Sequence, residues 1–359
     1  MTTMQAWQSI LCGALVAVGC AGGASADAKQ ELRTILRRQS EFNGSIYASR
    51  GADVIVDAAL GWEDAAHKIP TTRETLFNIA SVTKSLTAAA VLKQLEQGKL
   101  ARTTTIGTLF PNVPKDKAAI TIEQLLTHTS GLAHGYAANG KPTRAEALRA
   151  ILAQPLGGKP GKFLYTDDGY ALLAAAVEVS SGLEFCAFLR RTIFVSAHMH
   201  ARCWEEITRN GEDDTAAILD GSLGRNLRGM NWGYIGSGGI WASADDLARY
   251  FQALQSGAIL SRRSVQELWA PRVKVSIGFA GFGWFVTSGA NGNEAIVTRG
   301  NEDWGHSAIL SWYPGKRVLI AVVTNSGFTD NVPKSRILAD KIAQVLLGVM
   351  PSSPQIDRP

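Results

Sequence analysis

Cysteine is scarce in this chain: four of its 359 residues, Cys12, Cys20, Cys186 and Cys203. The first two fall within residues 1–26, which leaves Cys186 and Cys203 for the rest. That is too few for a disulfide scaffold, and no Cys/His spacing suits a metal site. His198-Met199-His200 is a lone histidine pair, more in keeping with a structural role than with ligation. Long apolar runs are missing as well. Ile10 to Val18 is shorter than the ~20 residues a membrane-spanning helix needs, and no other stretch is long and apolar enough. There is no basic run. Pairs such as Arg37-Arg38 and Arg190-Arg191 are too short, and 36 basic against 31 acidic residues (net +5) describe a mixed solvated surface. Nucleic acid is therefore not an expected partner. Finally, Gly-x-Ser-x-Gly occurs nowhere, which excludes an α/β-hydrolase nucleophile elbow. No internal repeat or low-complexity segment is visible.

What is present is ordinary globular material, 46% apolar and 19% charged. The length suits one large domain or two, with a core that needs no staples. Residues 1–26 carry no charge, and Ala24-Ser25-Ala26 offers a small-x-small cleavage site before Asp27. The segment reads as a signal peptide cleaved after Ala26, although the usual early positive charge is missing. Ala17-Val18-Gly19-Cys20 is a poor lipobox and gives a Cys20 lipid anchor as the lesser alternative. The expected location is thus exported, periplasmic or secreted. An exported chain would be able to pair Cys186 with Cys203; two separate buried thiols are the other reading.

Past the leader, the pattern divides into strands at both ends and helices between. Asp27 to Gln39 reads as an amphipathic helix. Ser45–Ser49 and Asp53–Asp57 read as a β-hairpin turned by Arg50-Gly51-Ala52. A helix from Ser81 runs through Leu86, Ala90, Val91 and Leu95 and stops near Gly98. A second begins at Ile120–Ile122 with Thr121 as cap. Thr143 to Ala153, Asp167 to Ser180, Leu183 to Ile193 and Ala244 to Leu254 are also helical, with no strand run of comparable quality among them. After Pro271 the β pattern returns in residues 282–287, 294–298, 307–313 and 318–324, and a last helix covers 335 to about 347. The simplest assembly is an α+β fold. One antiparallel sheet is made by both chain ends, flanked by helices, with an all-helical domain inserted. The expected boundaries are 27–115 and 266–350 for the sheet domain, 116–265 for the helical domain and 351–359 for a tail. A site would lie in the groove between the two.

One stretch carries chemistry: Phe77-Asn78-Ile79-Ala80-Ser81-Val82-Thr83-Lys84. On a helix, residues three apart share a face, so Lys84 would stand one turn above the Ser81 hydroxyl. A helix N-terminus favours a developing oxyanion, and a lysine in a dry pocket can act as a base. These are the parts of an activated serine. By itself the pattern is expected about once by chance in a chain of this length, and a serine cap followed by a solvated lysine is the better reading of the motif alone. Tyr165 lies in Pro160-Gly161-Lys162-Phe163-Leu164-Tyr165-Thr166-Asp167, a loop rim that runs into a helix start.

Several segments together are distinctive. Phe42-Asn43-Gly44-Ser45-Ile46, Thr75 through Lys84, Leu125-Leu126-Thr127-His128-Thr129-Ser130-Gly131-Leu132, Tyr165-Thr166-Asp167, Gly238 through Ala248 and Gly283-Trp284-Phe285 fall in this order. In them the chain resembles the serine β-lactamase-like family, which includes class C β-lactamases, D-Ala-D-Ala carboxypeptidases and related esterases. The resemblance spans about Glu41 to Leu347. It implies acyl transfer on an ester or amide, whether a β-lactam, a D-Ala peptide or a small ester, with a small-molecule or peptide substrate and no metal or organic cofactor. Ser81 would form the acyl-enzyme, and Lys84 and Tyr165 would share the proton transfers. The Ser81 N–H and one from a strand edge would form the oxyanion hole.

Two departures from the family pattern stand out. Its third motif is Lys-Thr-Gly or His-x-Gly, and Thr298-Arg299-Gly300 aligns there, followed by Asn301. Gly305-His306-Ser307 is the less favoured register. The preferred one leaves no Lys or His at the first position, and Arg299 would point to the other face of its strand. Asp167 replaces the family's Asn. A carboxylate only accepts hydrogen bonds, and beside Lys84 it favours the ammonium form. Asp167, Thr298, Arg299, Gly300 and Asn301 are the expected substrate-binding residues. These changes argue for an esterase-like or peptidase-like hydrolase rather than an efficient β-lactamase. A catalytically weak binding protein of the same fold is the alternative.

Overall fold

The computed structural model describes residues 26–64, 68–210, 231–288 and 293–348. The leader, Cys20 and the tail 351–359 lie outside the described residues. The largest sheet has eight strands, built from both ends of the chain. They are β1 (Gly44–Arg50), β2 (Asp53–Leu60), β3 (Val273–Val275), β4 (Gly278–Ala280), β5 (Phe285–Ser288), β6 (Glu294–Asn301), β7 (Ser307–Tyr313) and β8 (Val318–Thr324). Their spatial order is β2-β1-β8-β7-β6-β5-β4-β3, antiparallel throughout. The first strand of the chain therefore pairs with the last of the sheet, Gly44 opposite Thr324. The helices that matter here are α1 (Ala26–Arg37), α2 (Thr83–Glu96), α3 (Ile122–Leu126), α4 (Arg144–Ala153), α5 (Asp167–Ser181), α6 (Ala244–Ser256), α7 (Arg262–Trp269) and α8 (Lys334–Leu347).

Strand alternation explains the layers. Ile46, Ala48, Ile309, Ile320 and Val322 face α1 and α8 and bury Leu32, Leu36, Leu338 and Ile342. Tyr47, Leu310, Leu319, Ala321 and Val323 face the other way, into the larger core that α2, α5 and α6 share. β8 is buried along its whole length because both faces are covered. α2 and α5 are buried nearly all round. That is why Ala88-Ala89-Ala90 and Ala174-Ala175-Ala176 suit them: small side chains let neighbouring helices approach.

The hairpin, the sheet made by both ends and the helical middle match the sequence reading. Four details differ. Ser81 does not open α2; it sits in a tight 3-10 turn, Ala80–Val82, just before Thr83. A short helix, Ile106–Leu109, lies between the helices read from Ser81 and from Thr121, where no helix was read. Two short strands, β3 and β4, extend the sheet where no strand pattern was visible. Arg202–Cys203 and Ile240–Ala242 form a small sheet with Phe77–Asn78 inside the span read as helical. Runs of two or three residues leave no periodicity to detect. Cys186 and Cys203 are joined by a disulfide.

Candidate active site

Phe77–Asn78 pairs with Ile240–Ala242, and the chain then turns sharply. Ala80 has φ +47°, a left-handed backbone that a non-glycine residue adopts at a cost of about 1–3 kcal/mol. Asn78 holds it: the Asn78 side-chain oxygen accepts the Ala80 N–H at 2.8 Å, and its amide donates to the Gly238 carbonyl at 3.0 Å. His306 supports Asn78 in turn, accepting the Asn78 N–H on Nδ1 at 3.0 Å. His306 is fully buried against Phe77 and Trp241, and burial pushes its pKa down to about 3. It is a neutral prop under the turn, away from the groove.

The turn presents the Ser81 hydroxyl to two donors. Lys84 Nζ reaches Ser81 Oγ at 2.9 Å, and the Tyr165 phenol donates to it at 2.8 Å. Lys84 also bonds Asp167 Oδ1 at 2.5 Å and the Ser237 carbonyl at 2.8 Å. An ammonium has three donors, and all three are used here. Burial disfavours that charge, but Asp167 and then Tyr165 outweigh it, so the net shift of the Lys84 pKa is upward. Tyr165 is raised by burial, with Lys84 opposing and Asp167 adding to the rise. In the resting site both groups beside Ser81 therefore hold their protons.

Tyr165 is placed by the His128 turn. His128 has φ +55°; its carbonyl accepts the Leu164 N–H and its ring accepts the Thr166 N–H. The ring stacks on Tyr165 with centroids 4.4 Å apart. Burial and then Lys84 push the His128 pKa down to about 3, so the ring stays neutral and adds no charge. Thr166 caps α5, which delivers Asp167 in its first turn. Asp168, next along, accepts the Ala137 and Ala138 N–H groups and so anchors the loop that carries Tyr136.

β6 forms the opposite wall. Thr298 and Gly300 face the Ser81 turn. A Cβ on Gly300 would fall within contact distance of the Ser81 nitrogen and of Ala80, so only glycine lets the strand lie this close. This favours the Thr298-Arg299-Gly300 register. Ser81, Lys84, His128, Tyr165, Thr298 and Arg299 line one cleft of about 290 Å³, completed by Ala280, Gly281 and Gly283 through Phe285. Arg299 borders it, while its charge acts on Asp340 of α8 across the sheet. Asn301 is exposed at the strand end. The sequence reading thus named six residues that converge: Ser81, Lys84, Tyr165, Asp167, Thr298 and Gly300. It did not assign Asn78, His128, the Ser237 carbonyl, Tyr136, Tyr234 or Glu302. Asn78 and His128 lie in segments already singled out; the others follow no pattern and are found only from packing.

A serine held by a lysine and a tyrosine beside an antiparallel sheet is the arrangement expected of the β-lactamase-fold family of serine hydrolases. A family model described as Beta-lactamase matches residues 29–344, and the chain belongs to that family. It is 28% identical over 329 residues to the putative penicillin-binding protein PbpX of Bacillus subtilis, covering 89% of this chain and 81% of that protein. Penicillin-binding protein 4* of the same organism is 26% identical, with coverages of 82% and 71%. Among solved structures, a penicillin-binding protein from Bacillus halodurans superposes with TM-score 0.73 at 24% identity, covering 88% of this chain and 98% of that one. The D-amino acid amidase of Ochrobactrum anthropi, complexed with D-phenylalanine, gives 0.75 at 20% identity, with coverages of 90% and 99%. At these identities the structures share the fold.

Proposed function

We propose that this chain is an exported serine hydrolase that works through an acyl-enzyme on Ser81. The observation that carries the reading is the pair of bonds converging on the Ser81 hydroxyl, 2.9 Å from Lys84 and 2.8 Å from Tyr165. With Lys84 kept as ammonium, the proton acceptor is Tyr165, in the small fraction of molecules whose phenol has first lost its proton to solvent and stands as a phenolate beside that charge. Ser81 Oγ attacks the carbonyl carbon of an ester or amide and passes its proton to Tyr165. Tyr165 then returns the proton to the departing alcohol or amine as the bond breaks. Water attacks the acyl-serine by the same relay, releasing the acid and restoring the hydroxyl. The Ser81 N–H and the edge of β6 would hold the oxyanion. Thr298 lines the cleft, Gly300 lies against the Ser81 turn, and Asp167 acts on the site through Lys84. The penicillin-binding and amidase relatives support an ester or amide of modest size, as does the small cleft. The leader-like residues 1–26 and the disulfide support export.

The test is labelling with a fluorophosphonate and with a fluorescent penicillin, read by intact-protein mass spectrometry. The wild type takes one adduct and Ser81→Ala takes none; no adduct from either reagent rejects the reading. A second reading, a binding protein of little turnover, is favoured by the Asp167–Lys84 pair, which withholds a free lysine base. Hydrolysis of any ester that disappears in Ser81→Ala excludes it.

A further inference from the structure

Glu302 follows β6, in the turn that leads to β7. Its backbone closes the turn, donating to the His306 carbonyl at 2.8 Å and accepting the Gly305 N–H at 3.0 Å. Its side chain does nothing comparable. The residue is 9% exposed, and among the described residues no donor reaches its carboxylate. A shielded carboxylate without a partner is costly to keep. The group is aimed at the site: a Cβ added to Gly238 would lie 3.0 Å from Glu302 Oε1, and the neighbouring Ser237 carbonyl holds Lys84. Its charge is felt at Asp167, at Tyr136 and at Tyr234. Tyr136 is 46% exposed, while Tyr234 is half-buried with one face stacked on Trp204 and its ring edge-on to Trp304, so solvent reaches this side of the site at Tyr136. Burial lifts the Glu302 carboxyl to about 8, with Lys84 opposing and Asp167 and Asp303 adding to the rise. Two acids, Glu302 and Asp167, thus act on each other beside the Ser81 turn, and the cation that acts on Glu302, Lys84, has all three donors engaged.

We propose that Glu302, assisted by Asp167, receives the ammonium group of the substrate's acyl portion, so that the preferred substrates are amides or esters of amino acids with a free amino group. This rests on the hydrolase reading above and adds the substrate class. An ammonium supplies donors to the Glu302 carboxylate, which gives up its proton on binding, and the exposed Tyr136 ring suits a cation. A substrate with a blocked amine leaves Glu302 shielded and unpaired, and sites built around such a group discriminate strongly.

The experiment compares phenylalaninamide, each enantiomer separately, with its N-acetyl derivative. Binding is measured by calorimetry in Ser81→Ala, where turnover is absent. At least one free amide binds about tenfold or more tightly than its acetylated form, and Glu302→Gln in the same background brings that ratio to within about twofold. Equal binding of the two forms, no binding of either, or a preference that survives Glu302→Gln overturns the proposal. The same amine-to-acetyl ratio in wild-type kcat/KM for the matching nitroanilides needs no variant and must agree. Fluorophosphonate labelling of Ser81 reports on the hydrolase reading alone, so the two ideas fail separately.

Discussion

Replacing Asp167 by Asn should make the enzyme faster at neutral pH. The carboxylate lies 2.5 Å from Lys84 Nζ, and both side chains are 3% exposed. At an effective dielectric of ~20, two unit charges at that distance attract by about 7 kcal/mol. Desolvation takes back part of that, and a carboxylate beside a cation commonly shifts a pKa by about 1–3 units. Asn keeps a carbonyl acceptor for Lys84 and removes the charge. It also removes one of the influences that raise Tyr165. A base far above the working pH limits the rate through its small deprotonated fraction. The wild-type kcat/KM for p-nitrophenyl acetate should therefore climb about tenfold per pH unit from 7 to 9, and with the Asp167 charge gone the pH 7 value should rise about tenfold or more. The assay is a pH series from 6 to 10 beside a melting curve for each protein. Asp167→Asn should show a plateau at lower pH than wild type. A folded variant whose profile overlays the wild type, or one that is slower at pH 7, refutes the assignment of the base.

Gly300→Ala should abolish fluorophosphonate labelling and cost about 1–3 kcal/mol in urea melts, because the added methyl meets the Ser81 turn; labelling at the wild-type rate would contradict the close strand. Reducing the Cys186–Cys203 bridge, whose cysteines lie 17 positions apart, should cost about 3 kcal/mol on chain entropy and lower Tm when measured with and without reductant. Glu302 sets a pH trend. Its folded pKa, about 8, lies above its ordinary 4.5, so its contribution to stability is complete below about pH 4.5 and fades as pH rises through 8. Glu302→Gln should narrow the gap in stability between pH 6 and pH 9, seen as parallel rather than diverging urea midpoints.

The sheet was legible because its longer strands alternate or run apolar between clear turns, as 44–50 with 53–60 and 307–313 with 318–324 do. Ser81, Lys84 and Tyr165 were legible as a set only because flanking segments such as Leu125–Leu132 resemble a known family; their local patterns are commonplace. The Thr298-Arg299-Gly300 alignment placed Gly300 beside the Ser81 turn, where the strand does lie against it. Other features were not. A 3-10 turn in place of a helix start depends on Asn78 and His306, brought together across the fold. Glu302 looks like any turn acid in the sequence. Its shielding comes from Gly238 and Tyr234, on the far side of the site.

The pairing of β1 with β8 has a consequence for biosynthesis. Asn78 and His306, which together fix the turn before Ser81, are 228 positions apart, and β1 finds its neighbour only when residues 318–324 exist. Such distant contacts make folding slow and leave early segments waiting. During translation the serine and lysine emerge long before the strand that walls their cleft, so a nascent or truncated chain carries the reactive residues without a working site. The cleft is then complete only once residues 294–324, near the end of the chain, have been made.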